Sequence, residues 1–462
     1  MVFVKALALA LIVFALALVN TNPVFGETQS PIKHVIVIVQ ENHSFDNYFG
    51  TYPTANGTLV DNITTQLQSV NGIPNGTCLP YGSSCLSPYR ANSSETENPI
   101  EGQEVYESDY DNGKMDGFAA NSGPQSLAYY DYNQIPAYWT YAEEYGLADN
   151  YFSPVLSTTN PNRMMLLSGD TSVAENNGPP PFLQYNETIL NQLSAHGISW
   201  GYFDFFTSPS GWRLVPPINY LSGIDSNSLS QVQDVPQFFQ SISERRLPSV
   251  SFVNAIGFDS LDEHPPSNVT AGEMWVVSIV NAVMKSDYWN SSAIFITYDE
   301  GGGLYDHVPP PQLLTIDHGF EHALHGYGER VPLIVISPYA KENYVSSTLL
   351  NHMSILRFID YNWNLQPLNQ NVANSNNLLD FFYFNGPQRT PIILGSNGPY
   401  SVGSYPAPIQ IPLNTLTYSR NGSIISDRSW EVPTIVAFTI FSIALVVAVI
   451  TWRKNYVKCK MR

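Results

Sequence analysis

A run of β-branched residues near the N-terminal end most constrains the fold of this chain. Residues 33–40 read Lys-His-Val-Ile-Val-Ile-Val-Gln. A continuous apolar run is typical of a strand buried on both faces of a sheet, whereas a half-exposed strand alternates apolar and polar residues. Similar runs predict strands at Ser292–Tyr298, which leads into two acidic residues, and at residues 331–337.

Helical patterns lie between the predicted strands. Residues 198–205 and 249–253 predict two further strands, and residues 270–285 predict a helix. Thr270 and Glu273 have the spacing of a capping box ahead of an apolar stripe. Strands that alternate with helices predict an α/β fold with a mostly parallel sheet. Ligands of such sheets bind beyond the carboxyl ends of the strands.

The two ends of the chain differ from its middle. Residues 1–26 predict a secretory signal peptide, because an apolar core follows Lys5 and ends in polar residues. Residues 432–452 are an uncharged apolar stretch of about the 20 residues that cross a bilayer. The tail at residues 453–462 is basic with no acidic residue, which predicts a cytoplasmic tail. We therefore expect a single-pass protein of the cell membrane with its body outside the cell.

Two segments of the body fit the strand and helix pattern poorly. Residues 51–135 are rich in Asn, Gly, Ser, Tyr and Pro, and we interpret them as a lid-like insertion. Residues 401–431 are interpreted as a stalk. Cys78 and Cys85 lie seven residues apart in the insertion and would form a disulfide in an exported protein. Two free thiols are the alternative.

The charge of the body argues against nucleic acid as a partner. Between Glu27 and Glu431 there are 14 basic and 39 acidic residues, a formal charge of −25. Such a surface repels polyanions, and a phosphate-processing site within it needs local positive charge, which a metal ion supplies. The composition also suits an acidic medium, a hypothesis that an activity optimum above neutral pH would contradict.

Eight sequons in the body predict a glycoprotein: Asn56, Asn62, Asn75, Asn92, Asn186, Asn268, Asn290 and Asn421.

Polar pairs follow two of the predicted buried strands. Glu41 and Asn42 come directly after the first strand, and Asp299 and Glu300 directly after Ser292–Tyr298. Adjacent carboxylates repel each other unless a cation or a shared proton intervenes, and carboxylate and amide oxygens suit a hard divalent cation. The two pairs therefore predict a metal site. For the first pair taken alone, solvated loop residues are the better interpretation.

Two further motifs carry candidate catalytic groups. Pro161 suits the first turn of a helix, so Thr158 and Thr159 would lie at a helix N-terminus, where free N–H groups attract phosphate. Either hydroxyl is a candidate nucleophile, with a plain N-cap as the alternative. His264 lies in a Pro-flanked loop and is a candidate general acid, phosphate donor or metal ligand. A structural histidine is the alternative.

In this order the motifs resemble a phosphoesterase family that contains bacterial phosphatidylcholine-type phospholipases C, plant non-specific phospholipases C and a related acid phosphatase. The similarity extends over residues 33–360. Its matching segments are residues 41–50, 112–118, 159–163, 262–266, 299–310, 328–332, 336–338 and 352–359.

The resemblance implies an alkaline-phosphatase-like α/β/α sandwich that occupies residues 27–400. It also implies a metal-dependent hydrolase in which Thr159 attacks phosphorus to form a phosphoenzyme and His264 assists at the phosphate or the leaving group. Thr158 is the alternative nucleophile. The implied metal ligands are Glu41, Asn42, Asp299 and Glu300, and the implied supporting residues are Arg163, Asp306 and His307. A role for Asn42 as a ligand implies that the ninth sequon, at Asn42, stays unglycosylated. A plain turn is the alternative for Asp306 and His307.

One position departs from the family pattern. Similar family members often carry a histidine about nine residues before the segment that matches residues 110–113, where this chain has Glu101. If that histidine protonates the leaving group, Glu101 would do so only at low pH.

The sequence leaves the metal, the substrate and the oligomeric state open. All-oxygen ligands favour Mg²⁺ or Ca²⁺, whereas the implied fold also admits Zn²⁺ or Mn²⁺. The expected substrate is a phosphate monoester or a phospholipid. A catalytically silent surface or binding protein that retains the fold is the alternative function, and the oligomeric state is not specified.

Overall fold

An eight-stranded sheet forms the centre of the fold. The computed structural model describes residues 27–55, 58–59, 68–176, 183–205, 217–218, 221–255, 261–320 and 323–395, all within the compact unit Met1–Gly403. The strands are β1 (His34–Gln40), β2 (Gly146–Ala148), β3 (Trp200–Asp204), β4 (Val232–Asp234), β5 (Val250–Asn254), β6 (Ser292–Tyr298), β7 (Leu333–Ile336) and β8 (Tyr344–Ser346).

The sheet is mostly parallel, with the strand order β4-β3-β5-β1-β6-β7-β2-β8. Strand β7 is antiparallel to both of its neighbours, and the other neighbouring pairs are parallel. Every residue of the central strands β1 and β6 is buried, as their unbroken apolar runs require. The predicted α/β class with a mostly parallel sheet is confirmed.

Helices accompany the sheet in two groups. Helix α9 packs against α4 and α8, whereas α10 packs against α5 and α11, and α5 packs against α6. The helices are α1 (Phe45–Phe49), α2 (Gln103–Tyr110), α3 (Phe118–Asn121), α4 (Pro136–Glu144), α5 (Thr159–Ser168), α6 (Ile189–Ala195), α7 (Ser226–Leu229), α8 (Val235–Ser243), α9 (Val269–Met284), α10 (His352–Trp363) and α11 (Gln370–Asn374).

Short two-stranded sheets lie outside the eight-stranded sheet. They join Thr54–Ala55 to Thr58–Leu59, Leu79–Tyr81 to Ser84–Leu86, Tyr89–Arg90 to Ala128–Tyr129, Tyr151–Phe152 to Leu350–Asn351, Leu183–Gln184 to Leu221–Ser222, and Thr315–Ile316 to Leu324–His325.

The predicted capping box of the long helix is wrong. Helix α9 begins at Val269, and the side chain of its N-cap Asn268 accepts a hydrogen bond from the Ala271 amide. Glu273 instead accepts hydrogen bonds from the first amides of α4, including that of Ala137 at 2.7 Å. A carboxylate can stabilise the N-terminus of a neighbouring helix as well as that of its own helix. Here the packing of α9 against α4 places Glu273 at the N-terminus of α4.

Residues 51–135, interpreted above as an insertion, share a small core with the loop after β6. Residues Leu79, Met115, Phe118, Ala119, Leu127 and Tyr305 form a buried apolar cluster. Tyr305 belongs to the loop after β6, so this core attaches the insertion to the body of the protein. Cys78 and Cys85 form the predicted disulfide, with an S–S distance of 2.05 Å.

The predicted terminal segments lie outside the described residues. These are the signal peptide at residues 1–26, the stalk at 401–431, the transmembrane helix at 432–452 and the tail at 453–462. Within the part of the chain that the structure describes, no helix combines the length and the hydropathy needed to span a bilayer.

Candidate active site

The register of β1 and β6 places the two polar pairs side by side. Gln40 is paired with Tyr298, so each strand is followed at the same edge of the sheet by one of the pairs. The backbone amide of Asn42 donates a hydrogen bond to Asp299 Oδ1 at 3.1 Å. The pairs that the sequence separates by more than 250 residues are therefore neighbours.

Arg163, on helix α5, is hydrogen-bonded to residues at the ends of three strands. Its side chain is buried, with Nε donating to Asp299 Oδ2 at 3.0 Å and Nη2 donating to Glu41 Oε1 at 2.9 Å. Its Nη1 donates to Asn254 Oδ1, at the end of β5, at 2.9 Å. The three nitrogens of one planar guanidinium thus hold the ends of β6, β1 and β5 in fixed relative positions.

The two candidate nucleophiles have different surroundings. Helix α5 begins at Thr159, and the Thr158 hydroxyl accepts a hydrogen bond from the Asn176 amide at 3.0 Å. Within the described part of the chain, no residue is hydrogen-bonded to the Thr159 hydroxyl. Thr159 precedes Arg163 by four residues, so both lie on the same face of α5. Thr159 therefore shares a helix face with the residue that pairs with Glu41 and Asp299.

His264 and Glu101 meet at the same site. The Glu101 Oε1 atom accepts a hydrogen bond from Asn42 Nδ2 at 2.9 Å and lies 3.5 Å from His264 Nε2. Burial by itself lowers the pKa of His264, but Glu101 and then Glu41 outweigh burial and raise it to about 10. His264 is therefore an imidazolium at neutral pH, and its Nδ1 donates to Pro265 O at 2.7 Å.

Carboxylates dominate this buried region. Burial, followed by repulsion from Asp299, raises the pKa of Glu41 to about 8. Burial and then Glu101 raise the pKa of Glu300 well above its ordinary value. Burial also raises the pKa of Glu329 to about 8. Such groups bind either protons or a cation.

Unpartnered buried oxygens show where a cation fits. Asn42 Oδ1 and Glu300 Oε1 are buried and accept no hydrogen bond from any residue that the structure describes. A buried acceptor without a donor is costly, and a metal ion removes that cost. With Glu41 and Asp299 alongside, the donor set is entirely oxygen, which suits a hard divalent cation. The chemistry of these four side chains therefore suits a hard divalent cation, but Glu41, Asp299 and Glu300 do not form, among the described residues, a group whose ligand atoms all lie within 4.8 Å of each other.

Asp306 and His307 belong to a second cluster. Together with Asp46 they form a cluster of potential metal ligands. Among the described residues it is the one group of at least three His, Cys, Asp or Glu side chains whose ligand atoms all lie within 4.8 Å of each other. Arg330 already supplies a cation there, because Nη2 donates to Asp46 Oδ1 at 3.0 Å and Nε donates to Asp306 Oδ1 at 2.9 Å. His307 Nδ1 lies 2.6 Å from Asp46 Oδ2. Arg163 pairs with Glu41 and Asp299 in the same way, so the Asp46 cluster is both an ion-pair network and a possible metal site.

Several residues of this region were not predicted from the sequence. Asn254 ends a predicted strand at the same sheet edge, a signal that would have found it. Glu329 and Arg330 precede β7, whose antiparallel direction brings its first residue to this edge, and no sequence signal gives that direction. Asn162 holds the turn before α5, since its Oδ1 accepts from the Val155 amide at 3.0 Å.

Known proteins are similar to this chain over most of its length. The non-hemolytic phospholipase C of Burkholderia pseudomallei (strain K96243) is 28% identical over 396 residues, which cover 72% of this chain and 55% of that protein. Non-specific phospholipase C4 of Arabidopsis thaliana is 29% identical over 360 residues, which cover 69% and 64% of the two chains. Phospholipase C A of Mycobacterium tuberculosis (strain H37Rv) is 28% identical over 380 residues, covering 71% and 72%. The first two relatives are thus considerably longer than the part of them that this chain matches.

Solved structures align at low similarity. Phosphonate monoester hydrolase of Agrobacterium radiobacter aligns with a TM-score of 0.39 and 11% identity, over 77% of this chain and 78% of that chain. The model of the Phosphoesterase family matches residues 32–366, which include every motif of the site described above. Because this match covers most of its length, the chain belongs to the Phosphoesterase family.

Proposed function

We propose that this protein is a metal-dependent hydrolase that cleaves phosphate ester bonds through a threonine phosphoenzyme. Three observations support the proposal: Asn42 and Glu300 have buried oxygens that no described residue hydrogen-bonds, Arg163 joins helix α5 to Glu41 and Asp299, and α5 begins at Thr159, whose hydroxyl is unengaged by the described residues. Membership of the Phosphoesterase family supports hydrolysis of a phosphate ester.

A bound divalent metal would be held by Glu41, Asn42, Asp299 and Glu300, and it would supply positive charge against the phosphoryl oxygens. The Thr159 hydroxyl loses its proton to solvent as its oxygen attacks phosphorus, and the bond from phosphorus to the ester oxygen breaks. His264, as an imidazolium, donates a proton to the departing alkoxide. Water then cleaves the bond between phosphorus and the threonine oxygen, which releases phosphate from a monoester substrate or the phosphorylated head group from a phospholipid.

Arg163 and helix α5 position the nucleophile in this proposal. The buried ion pairs of Arg163 with Glu41 and Asp299 fix the rotation of α5 about its axis. Thr159, one turn earlier, is therefore held on the side that faces the carboxylates. The N-terminal amides of α5 add partial positive charge where a phosphoryl group would lie.

For the substrate we propose a phosphate monoester or the head-group ester of a phospholipid. The relatives named above are phospholipases C, which favours the phospholipid. We further propose that the catalytic body acts outside the cell and is anchored by residues 432–452. The apolar terminal segments of the sequence support this placement, and the Cys78–Cys85 disulfide suits an oxidising compartment.

The decisive experiment measures product release by the full-length protein in detergent micelles. 4-Nitrophenyl phosphate and phosphatidylcholine are supplied in parallel, before and after EDTA treatment and after re-addition of Mg²⁺, Ca²⁺, Mn²⁺ or Zn²⁺. We expect hydrolysis of at least one substrate, its loss with EDTA and its recovery with one of the metals. A folded protein that hydrolyses neither substrate with any metal would instead be the catalytically silent surface or binding protein.

A further inference from the structure

Glu263 is a buried carboxylate surrounded by hydrogen-bond donors. Its side chain is 0% exposed. Oε2 accepts from Tyr48 Oη at 2.6 Å and from Tyr298 Oη at 2.8 Å. Oε1 accepts from the Tyr138 hydroxyl and from Gln40 Nε2, the latter at 3.0 Å. Four donors from four different elements thus converge on one side chain that the proposed chemistry does not use.

The backbone on either side of Glu263 is joined to the segment that carries the candidate metal ligands. Gln40 Nε2 also donates to Leu261 O at 2.9 Å, and the Glu41 amide donates to Asp262 O at 2.9 Å. His43 Nε2 lies 2.9 Å from Glu263 O. The loop that ends in His264 is therefore bound along its length to the residues that follow β1.

Two features show that Glu263 is held tightly. Its φ of +69° lies in the left-handed region, which is unfavourable for a residue with a Cβ and persists where neighbouring contacts enforce it. Gly272 of α9 packs against it so closely that a Cβ there would lie 2.1 Å from Glu263 Cγ. The backbone geometry immediately before His264 thus depends on where the Glu263 side chain is anchored.

We propose that Glu263 is a positioning residue for His264. Its anchored carboxylate fixes the loop so that the His264 Nε2 atom points to Glu101, 3.5 Å away, and stays within the site. This inference rests on the proposed function, because it assigns to Glu263 the task of aiming the proton donor of that reaction. In this role Glu263 acts through His264 and not directly on a substrate or a metal.

The test is a double-mutant cycle on the full-length, metal-loaded protein. It compares Glu263→Gln, His264→Ala and the double variant in the hydrolysis of the better substrate. We expect E263Q to lower kcat by about tenfold with little change in KM, since proton donation as a whole contributes about 10²- to 10⁴-fold. When His264 is already replaced by Ala, E263Q should lower kcat no further, because Glu263 is proposed to act only by positioning the His264 side chain.

A matched control distinguishes an effect on the position of His264 from a general effect of replacing a buried carboxyl group on folding. Asp360 is also a buried carboxyl with a pKa raised to about 7 by burial, as that of Glu263 is, but it lies on α10 and contacts Arg357. Asp360→Asn should leave kcat unchanged. If E263Q does not fold, Tyr48→Phe, which removes one donor to Glu263, takes its place in the cycle.

The possible outcomes are distinguishable. Equal losses of kcat from E263Q with and without His264 would overturn the inference and leave the proposed function standing, as would full kcat in E263Q. Full kcat in H264A would instead overturn the role proposed for His264, and the inference with it. A loss in E263Q that disappears in the H264A background supports the inference.

Discussion

Arg163 on helix α5 donates a hydrogen bond to Asp299 Oδ2 at 3.0 Å, and the two residues are 136 positions apart in the sequence. Both side chains are buried, and Glu41 completes the ion pair. Loss of the guanidinium would leave two carboxylates without their cation, which in buried pairs costs about 3–5 kcal/mol.

Arg163→Ala should therefore lower the free energy of unfolding by about that amount and abolish hydrolysis. Arg163→Lys should recover only part of both, because an ammonium cannot reproduce the three-way geometry of the fork. Urea unfolding and phosphate release measure the two effects. Arg245, paired with Asp287 at the exposed surface, is the control, and Arg245→Ala should change neither. Wild-type stability in Arg163→Ala would contradict the structure of this site.

Thr159→Ala should remove the nucleophile and lower kcat by at least about 10³-fold, the scale of losing an attacking hydroxyl. Thr158→Ala should retain activity, since the Thr158 hydroxyl accepts a hydrogen bond from the Asn176 amide. Mass spectrometry of the acid-quenched protein should find phosphate on Thr159. The reverse pattern of activity in the two variants would transfer the nucleophilic role to Thr158.

Metal binding should stabilise the folded protein, because the ion binds the native arrangement of oxygens and not the unfolded chain. At a metal concentration of 100 times Kd the gain is about 2.7 kcal/mol. Differential scanning fluorimetry with EDTA and with each metal should show the rise in Tm. Asn42→Ala should reduce it, whereas Asn227→Ala, at an exposed position, should not. An unchanged metal response in Asn42→Ala would exclude Asn42 as a ligand.

The Arg330 network should behave as a structural ion pair rather than a metal site. Asp46→Ala leaves Arg330 with one carboxylate fewer, and we expect a loss of about 3–5 kcal/mol in the free energy of unfolding. The rise in Tm caused by metal should persist in this variant. Loss of that rise would mean that Asp46, Asp306 and His307 hold the ion.

His34 should make stability depend on pH. Burial lowers the pKa of His34 to about 4. Between about pH 4 and pH 6.5 the ring is therefore neutral in the folded protein but protonated in the unfolded chain. The unfolded state then binds more protons, and the contribution is complete above pH 6.5 and is lost as the pH falls towards 4. The loss is up to about 3 kcal/mol. In urea titrations, His34→Asn should flatten the dependence of unfolding free energy on pH in this window, and an unchanged slope would contradict the assignment.

Some features of the site could be predicted from the sequence because they follow from strand ends. The apolar runs of β1 and β6 require burial on both faces, and parallel strands bring their carboxyl ends to one edge. Glu41 and Asn42 were therefore expected near Asp299 and Glu300. The capping box failed because Asn268 takes the N-cap position of α9 and Glu273 reaches another helix.

By itself, the sequence determined the α/β class, the central strands and the polar pairs that follow them, because periodicity and strand ends are local properties of a chain. Only the tertiary structure decided that Arg163 joins those pairs, that β7 runs antiparallel and brings Arg330 to the same edge, and that three tyrosines converge on Glu263. These contacts join segments far apart in the chain. They depend on register and side-chain direction, which a local pattern of residues does not encode.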